Sequence, residues 1–452
     1  MTRTVGRYVA PEMAALWVAE LVLAFVVVYA MMAAPPAADV LGASWRALDL
    51  KLANHAALLA CTLGGTAIAI GLYRPDICLD PRRVVLNAAV VAVLAFPVAL
   101  AVGGAFSGGF TATYAVWLVK VLALWIVCLM LTRWVLRLVL RQAPFSRRVM
   151  VVGAGQPATR MAKVLRTRRG AMFELAGALD PAAMPPSLDD LRADRVWALL
   201  AAGAVDAEPA AWLLDYKLRG VQVFDELGFC ERHLGRISLE HLSAAWLLGA
   251  DGFSTGRAAA AVKRMIDVIV SLLLLALSLP LMVATAVAVH LETPGPILYR
   301  QERVGLLGGG FTLLKFRSMR EDAEAGGMPR WAALRDQRAT RVGAFIRSTR
   351  IDELPQLLNV LRGDMSLVGP RPERPHFVEH LAESIPFYND RAYVKPGITG
   401  WAQVNYPYGA SVEDAREKLA YDLYYVKNRG LFLDLLVLIA TVRVILFREG
   451  AR

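Results

Sequence analysis

The chain has 452 residues, 56% of them hydrophobic and 20% charged, with a formal net charge of +11 and a mean hydropathy of +0.45. That apolarity excludes an ordinary soluble enzyme, and the length allows about two to four domains. The basic excess must sit in the non-membrane parts, where it suits anionic lipid, phosphate substrates or nucleic acid.

Four apolar runs come first, at about 13–34, 52–72, 84–105 and 114–136. Each approaches the ~20 residues that a helix needs to cross a bilayer. The first is too long for a cleavable signal peptide, and more runs follow it. Arg3 and Arg7 precede the first run, and Arg74, Arg82 and Arg83 lie between the second and third. Arg133, Arg137, Arg141, Arg147 and Arg148 lie at or after the end of the fourth. In 35–51, Arg46 and Lys51 are balanced by Asp39 and Asp49, and 103–113 is uncharged. The positive-inside rule then places both ends of a four-helix transmembrane unit, 1–146, in the cytoplasm. Glu20 and Lys120 lie within the runs, at roughly 10 and 20 Å from the cytoplasmic ends of their helices. This mismatch argues against a direct pair and favours bundle packing or snorkelling.

"RRVMVVGAGQPATRMAKVL" (147–165) reads as strand, glycine turn and helix, with Gly153, Gly155 and Ala158 in the G-x-G-x-x-G/A pattern. Asp180 ends the next strand, at the distance of a ribose contact. Further strands are expected at "RVWALLAAG" and "VQVFDE", with a helix around "AAWLLDYKL". An α/β, Rossmann-like cytoplasmic domain over 147–250 follows, although such a turn also serves merely to close a βα unit. A linker, 251–262, leads into a further apolar helix, about 264–291, with Ser278 and Pro280 near its middle. It is long enough to span, which would carry the arginine-rich remainder outside the cell. Alternatively, the proline bends the helix so that it dips in and returns, with a serine re-satisfying freed backbone groups.

The last part, to residue 452, is polar and basic. "EDAEAGGMPRWAALRDQRAT" (321–340) reads as a mobile loop, and the tail with Asp434 and Arg443 as an interfacial helix. His376 and His380 stand at i, i+4 but lack a third ligand nearby, so a solvated helix face is expected. The ten tryptophans read as interface anchors and core. The basic residues lack interleaved aromatic positions, which disfavours nucleic acid. The four cysteines, Cys61, Cys78, Cys128 and Cys230, form no CxxC, which argues against zinc or a disulfide framework and fits a reducing cytosol.

Asp352 and Glu353 lie in "RSTRIDELPQLLNVLRGDMSLVGPRP" (347–372), an arginine-studded stretch. Leu354, preceding Pro355, is expected to avoid the α region. Pro355 should begin a helix that stops at Gly363, which puts both acids at a positive helix end. Arg347, Arg350, Arg362 and Arg371 are close in sequence, with Arg300, Arg303, Lys315, Arg317 and Arg320 upstream. Guanidinium forks and one carboxylate pair suit phosphoryl transfer: one acid attacks phosphorus and the other holds Mg²⁺. The plainer reading is a helix cap paired with surface arginines.

"TPGPILYRQERVG", "FTLLKFRSMR", "IDELPQLLNVLRGDMSLVGPRPERP" and "VKPGITGWAQVNY" resemble the bacterial sugar transferase family. These are polyprenyl-phosphate sugar-1-phosphate transferases of exopolysaccharide assembly. The resemblance is dense over 263–452, whereas the N-terminal half matches large members in layout only. It implies an α+β monotopic catalytic domain with a re-entrant helix broken at Pro280. It implies that Asp352 attacks a UDP-sugar, releasing UMP, and passes the sugar phosphate to undecaprenyl phosphate, while Glu353 binds Mg²⁺. Arg303, Lys315, Arg317, Arg347 and Arg371 are the implied phosphate-binding residues, and Lys263, Arg264 and Asp267 match the family's opening motif. A bacterial inner-membrane location with a cytoplasmic catalytic face, downstream glycosyltransferases as partners and a homodimer through the N-terminal parts go with this reading. Two rivals stand beside it: a metal-dependent phosphodiesterase, in which water replaces the lipid acceptor, and a non-enzymatic scaffold.

Overall fold

A computed structural model describes residues 11–33, 50–70, 72–73, 81–107, 112–140, 147–167, 173–203, 207–240, 242–250, 252–253, 256–320, 338–407, 409 and 411–447. Arg3, Arg7, Arg74, Arg141, the balanced charges of 39–49 and loop residues 321–337 lie outside the described residues. The chain forms two compact units, Met1–His233 and Leu234–Arg452.

The first unit opens with helices α1 (Pro11–Ala33), α2 (Leu50–Ile70), α3 (Pro81–Ser107) and α4 (Ala112–Leu140). α1 and α4 hold stretches long and apolar enough to cross a membrane, Ala15–Met32 and Tyr114–Val135. The apolar stretches of α2 and α3, Leu52–Ile68 and Asn87–Ala101, are shorter. Each helix packs on the next, and α4 returns to α1. Gly64 makes the α1–α2 approach possible: a Cβ there would lie 2.7 Å from Leu21. Exposed Val22, Val93, Val119 and Val127 give the outer face an apolar surface suited to lipid.

Glu20 is buried and pairs with Arg133 at 3.2 Å. Thr132 Oγ1 donates to the same carboxylate at 2.6 Å, and the Arg133 guanidinium also lies over the Tyr73 ring. Arg133, counted in the sequence as an orientation charge, is thus the interior partner that Glu20 needs. Lys120 is exposed.

Strands β1 (Arg147–Val152), β2 (Phe173–Leu179), β3 (Val196–Ala201) and β4 (Gln222–Asp225) form a parallel sheet in the order β2-β1-β3-β4. Buried Val149, Val151, Val152, Leu199 and Leu200 supply the apolar runs that a parallel sheet demands. The glycine turn leads into helix α5 (Gly155–Thr167). Gly153 is required by packing, since a Cβ there would stand 2.4 Å from the Ala202 carbonyl. Asp180 accepts from the Ala182 amide in its own turn.

The second unit is organised around α6 (Arg257–Glu292), 36 residues that run helically through Pro280. Among the described residues it is the third helix long and apolar enough to cross a membrane. Its two arms are bonded to the same compact unit. On the N-terminal arm, Arg264 donates to the Val360 and Leu361 carbonyls, and Asp267 accepts from Ser366 Oγ at 2.8 Å. On the C-terminal arm, Glu292 accepts from the amides of Arg341 and Val342, and Val289 packs with Phe316 and Ile346. Between the arms, Leu272, Leu273, Leu277, Leu279 and Leu281 are exposed. Ser278 Oγ reaches toward the Leu275 carbonyl at 3.5 Å, one turn before the proline.

The antiparallel hairpin of β5 (Leu298–Val304) and β6 (Gly310–Phe316) follows. Then come α7 (Arg341–Ser348), α8 (Gln356–Arg362), the short parallel pair β7 (Ser366–Val368) and β8 (Gly397–Thr399), and α9 (Pro375–Ser384). The unit ends in α10 (Val412–Asn428) and α11 (Leu431–Phe447). Asp434 of α11 is buried and fastened by Lys263 and by the Tyr425 hydroxyl, both at 2.7 Å. His376 and His380 are exposed on α9, and no group of three possible metal ligands occurs among the described residues.

Arg133→Ala leaves the Glu20 carboxylate buried without its cation and should cost about 3–5 kcal/mol. Adding Glu20→Leu should recover most of that loss. Thermal unfolding of the detergent-purified protein measures both, and an unchanged midpoint for Arg133→Ala would refute the role of the pair.

Candidate active site

Asp352 and Glu353 lie in a 3₁₀ turn, Ile351–Glu353, between α7 and α8. Arg350 enters the turn with φ of 61°, a left-handed conformation that costs a non-glycine residue of the order of 1 kcal/mol or more. Leu354 does not avoid the α region: its φ of −54° and ψ of −37° are helical. The steric bias against helix before proline is overridden by the bond from the Leu354 amide to the Ile351 carbonyl. The acids therefore lie one turn before α8, not in its first turn, and Gly363 ends α8 with φ of 98°.

Both acids are buried. Glu353 Oε1 accepts from Arg371 Nη2 at 2.9 Å, with Arg350 Nη1 at 3.5 Å and Lys315 Nζ at 3.6 Å. Burial opposes its ionisation, yet Arg371, Lys315 and Arg350 outweigh burial and hold Glu353 far below the usual carboxylate range. Asp352 has the opposite balance. Burial, reinforced by the Glu353 charge, pushes it up to about 6 against the pull of Lys315, Arg350 and Arg371. Asp352 Oδ1 is buried with no hydrogen bond among the described residues. A buried acceptor without a donor calls for an explanation, and an incoming ligand supplies one. Burial lowers Lys315 to about 8, although Glu353 pulls it up.

The supports of this cluster come from distant segments. Buried Asn359 of α8 accepts from the Leu314 amide and donates to the Thr312 carbonyl, which fixes β6, and so Lys315, against the dyad turn. Arg371 is held from both sides of its own segment. Arg303 donates to the Pro372 carbonyl at 3.0 Å, and Arg391 donates to the Arg371 carbonyl at 2.8 Å. Arg391 is itself fixed by buried Asp422 at 2.7 Å and by the Tyr388 hydroxyl at 2.7 Å.

Of the residues picked out by sequence, Asp352, Glu353, Lys315 and Arg371 meet directly. Arg303 joins through Pro372 and an ion pair to Glu373 at 3.6 Å. Arg347 lies at the end of α7, with Nη1 buried and lacking a hydrogen-bond partner among the described residues. Arg317 is placed elsewhere: its guanidinium donates to the Pro294 carbonyl, the Thr293 carbonyl and Thr293 Oγ1, closing the end of α6. Sequence reasoning placed Arg350 among the nearby cations but did not single it out as a partner of Glu353, although its position three residues before that acid was a usable signal. It also missed Arg391, Asp422 and Tyr388, for which no local spacing gives a signal.

The two carboxylates suit a divalent cation only together with substrate oxygens, because Glu353 Oε1 already faces three cations. Asp352 and the second oxygen of Glu353 remain for it. Magnesium needs no more, since it is held by one or two carboxylates plus substrate phosphates.

The family model for bacterial sugar transferases matches residues 258–448. A UDP-glucose:undecaprenyl-phosphate glucose-1-phosphate transferase of Caulobacter vibrioides is 46% identical over 193 residues, 42% of this chain and 71% of that protein. The chain belongs to the bacterial sugar transferase family. Other family relatives reach further along it. A UDP-N-acetylgalactosamine-undecaprenyl-phosphate N-acetylgalactosaminephosphotransferase of Aeromonas hydrophila is 42% identical over 267 residues, 59% of this chain. An undecaprenyl-phosphate glucose phosphotransferase of Komagataeibacter xylinus is 34% identical over 328 residues, 68% of this chain. The chain spans 62% and 60% of the lengths of these two proteins.

Arg317→Ala removes charge-assisted bonds to three acceptors and should lower stability by about 3 kcal/mol, seen as a lower unfolding midpoint. A midpoint equal to wild type, with only substrate affinity lost, would return Arg317 to phosphate binding.

Proposed function

We propose that the protein transfers a sugar-1-phosphate from a UDP-sugar to undecaprenyl phosphate, the first membrane step of exopolysaccharide assembly. The observation that carries this reading is the asymmetric dyad: Glu353 held ionised by three cations, beside an Asp352 whose buried Oδ1 has no hydrogen bond. The activities for which family relatives are named agree with it. Asp352 attacks the β-phosphorus of the donor, and the bond to the bridging oxygen breaks, releasing UMP. A phosphate oxygen of the lipid then attacks the sugar-phosphoryl aspartate, which restores the free carboxylate. Lys315, Arg371 and Arg303 balance charge on the phosphates, and the unpartnered Nη1 of Arg347 is the further phosphate donor. Glu353, with Asp352 beside it, would hold Mg²⁺, which when bound would neutralise phosphate charge.

In this reading α1–α4 all cross the inner membrane and the β1–β4 sheet forms a Rossmann-like cytoplasmic domain. The domains run 1–146, 147–250 and 263–452, joined by the linker 251–262. The central turns of α6 dip into the bilayer and return around Ser278 and Pro280, which agrees with both arms being bonded to one unit. Downstream glycosyltransferases and a second copy of the chain are the protein partners.

Incubation with radiolabelled UDP-sugar and no acceptor should label the protein. Asp352→Asn should abolish both label and UMP release, and label retained in that variant would refute the nucleophile. kcat/KM should fall below about pH 6, where Asp352 gains its proton, and above about pH 8, where Lys315 loses its charge. A flat profile from pH 5 to 9 would contradict these assignments. A cysteine at Glu292 should resist membrane-impermeant reagent in intact cells; labelling there would rule out re-entry.

A further inference from the structure

A cleft of about 550 Å³ opens in the second unit between the β5–β6 turn and the residues 388–394. Arg371, the residue that donates to Glu353, is in its lining, so cleft and dyad share this residue. Its volume lies in the range of small-molecule sites. Its backbone is strained on both sides. Leu307 in its lining has φ of 54°, and Phe387, which introduces the 388–393 turn, has φ of 62°. Such conformations collect at ligand sites, where the fold holds them against their cost.

The cleft carries charge of both signs. Arg371 lines it, and Glu373 beside it is engaged by Arg303. Glu302, Glu379 and Asp390 also line the walls, and their carboxylates have no hydrogen bond or ion pair among the described residues. Asn389 adds an unengaged amide, and Tyr393 presents a ring that is 63% exposed. Burial raises the Asp390 carboxyl above its ordinary value, as expected for an acid facing a cleft without a counter-charge.

Three unpaired carboxylates repel phosphate and leave it to the Arg371 side of the cleft. They accept hydroxyl hydrogens well, because a bond to an ionised acceptor is the stronger kind. A hexose offers several hydroxyl donors and an apolar ring face. A uracil offers one N–H and two carbonyl oxygens, which carboxylates disfavour. We propose that this cleft is the sugar-reading subsite of the donor, with Asp390, Glu379 and Asn389 taking the hexose hydroxyls and Tyr393 its ring face. The assignment rests on the transferase reading above and deepens it.

The test uses the full-length protein with undecaprenyl phosphate and a panel of UDP-glucose, UDP-galactose and their N-acetylated counterparts. UMP release gives kcat/KM for each, and added UMP gives its inhibition constant. Asp390→Ala and Glu379→Ala should lower kcat/KM for the preferred sugar by about tenfold or more and change the ranking of the panel. UMP inhibition should stay within about twofold of wild type, and Asp390→Asn should lie between wild type and alanine. An unchanged ranking, or UMP inhibition weakened in parallel, overturns the sugar assignment while the transferase reading stands. Wild-type protein that releases no UMP from any of the four overturns that reading and this one together.

Discussion

The second unit depends on one electrostatic arrangement, a buried carboxylate outnumbered by cations. Glu353 meets Arg371, Arg350 and Lys315 within 3.6 Å. Removing so many charges from water is costly, and only their mutual attraction at short range offsets the loss. Burial forces the neighbouring Asp352 upward, and the fixed Glu353 anion adds to the shift, because like charges in one buried site cannot both ionise freely. Two adjacent acids thereby acquire different protonation behaviour from their surroundings alone, the usual way in which a fold divides roles between carboxylates.

Much of the rest of the unit serves to hold those cations. Asn359 ties β6 to α8, Arg303 and Arg391 grip the backbone around Arg371, and buried Asp422 fixes Arg391. α6 is stitched on by polar groups at each arm, leaving apolar surface between them. The same unit therefore presents a buried charged site and an apolar helix surface. In the first unit, Glu20 and Arg133 solve a smaller version of the same problem, each making the other tolerable in an apolar interior.

How far the sequence could be read follows from the range of each interaction. The four parallel strands were legible because their apolar runs are local, as was Gly363 as a helix stop. Leu354 was misread because its steric bias is a small local preference, and the turn that captures it outweighs that preference. The placement of Arg317 was not legible because its motif says nothing of where the side chain points, and in the structure it donates to the end of α6. Glu20 was compared with the wrong cation. Depth along a helix was visible in the sequence, but which helices adjoin was not.

The sequence alone determined the apolar runs, the strand and turn positions, and a set of residue types suited to phosphate, since these follow from composition and short-range periodicity. Several ordered motifs also determined the family. Tertiary structure decided which cations reach Glu353, that Asp352 keeps a buried oxygen without a donor, that Arg317 closes a helix, and that unpaired acids line a cleft beside Arg371. Each of these depends on side chains tens to hundreds of residues apart meeting within a few ångströms, and charge effects at that range are set by distance and burial, which no local pattern encodes.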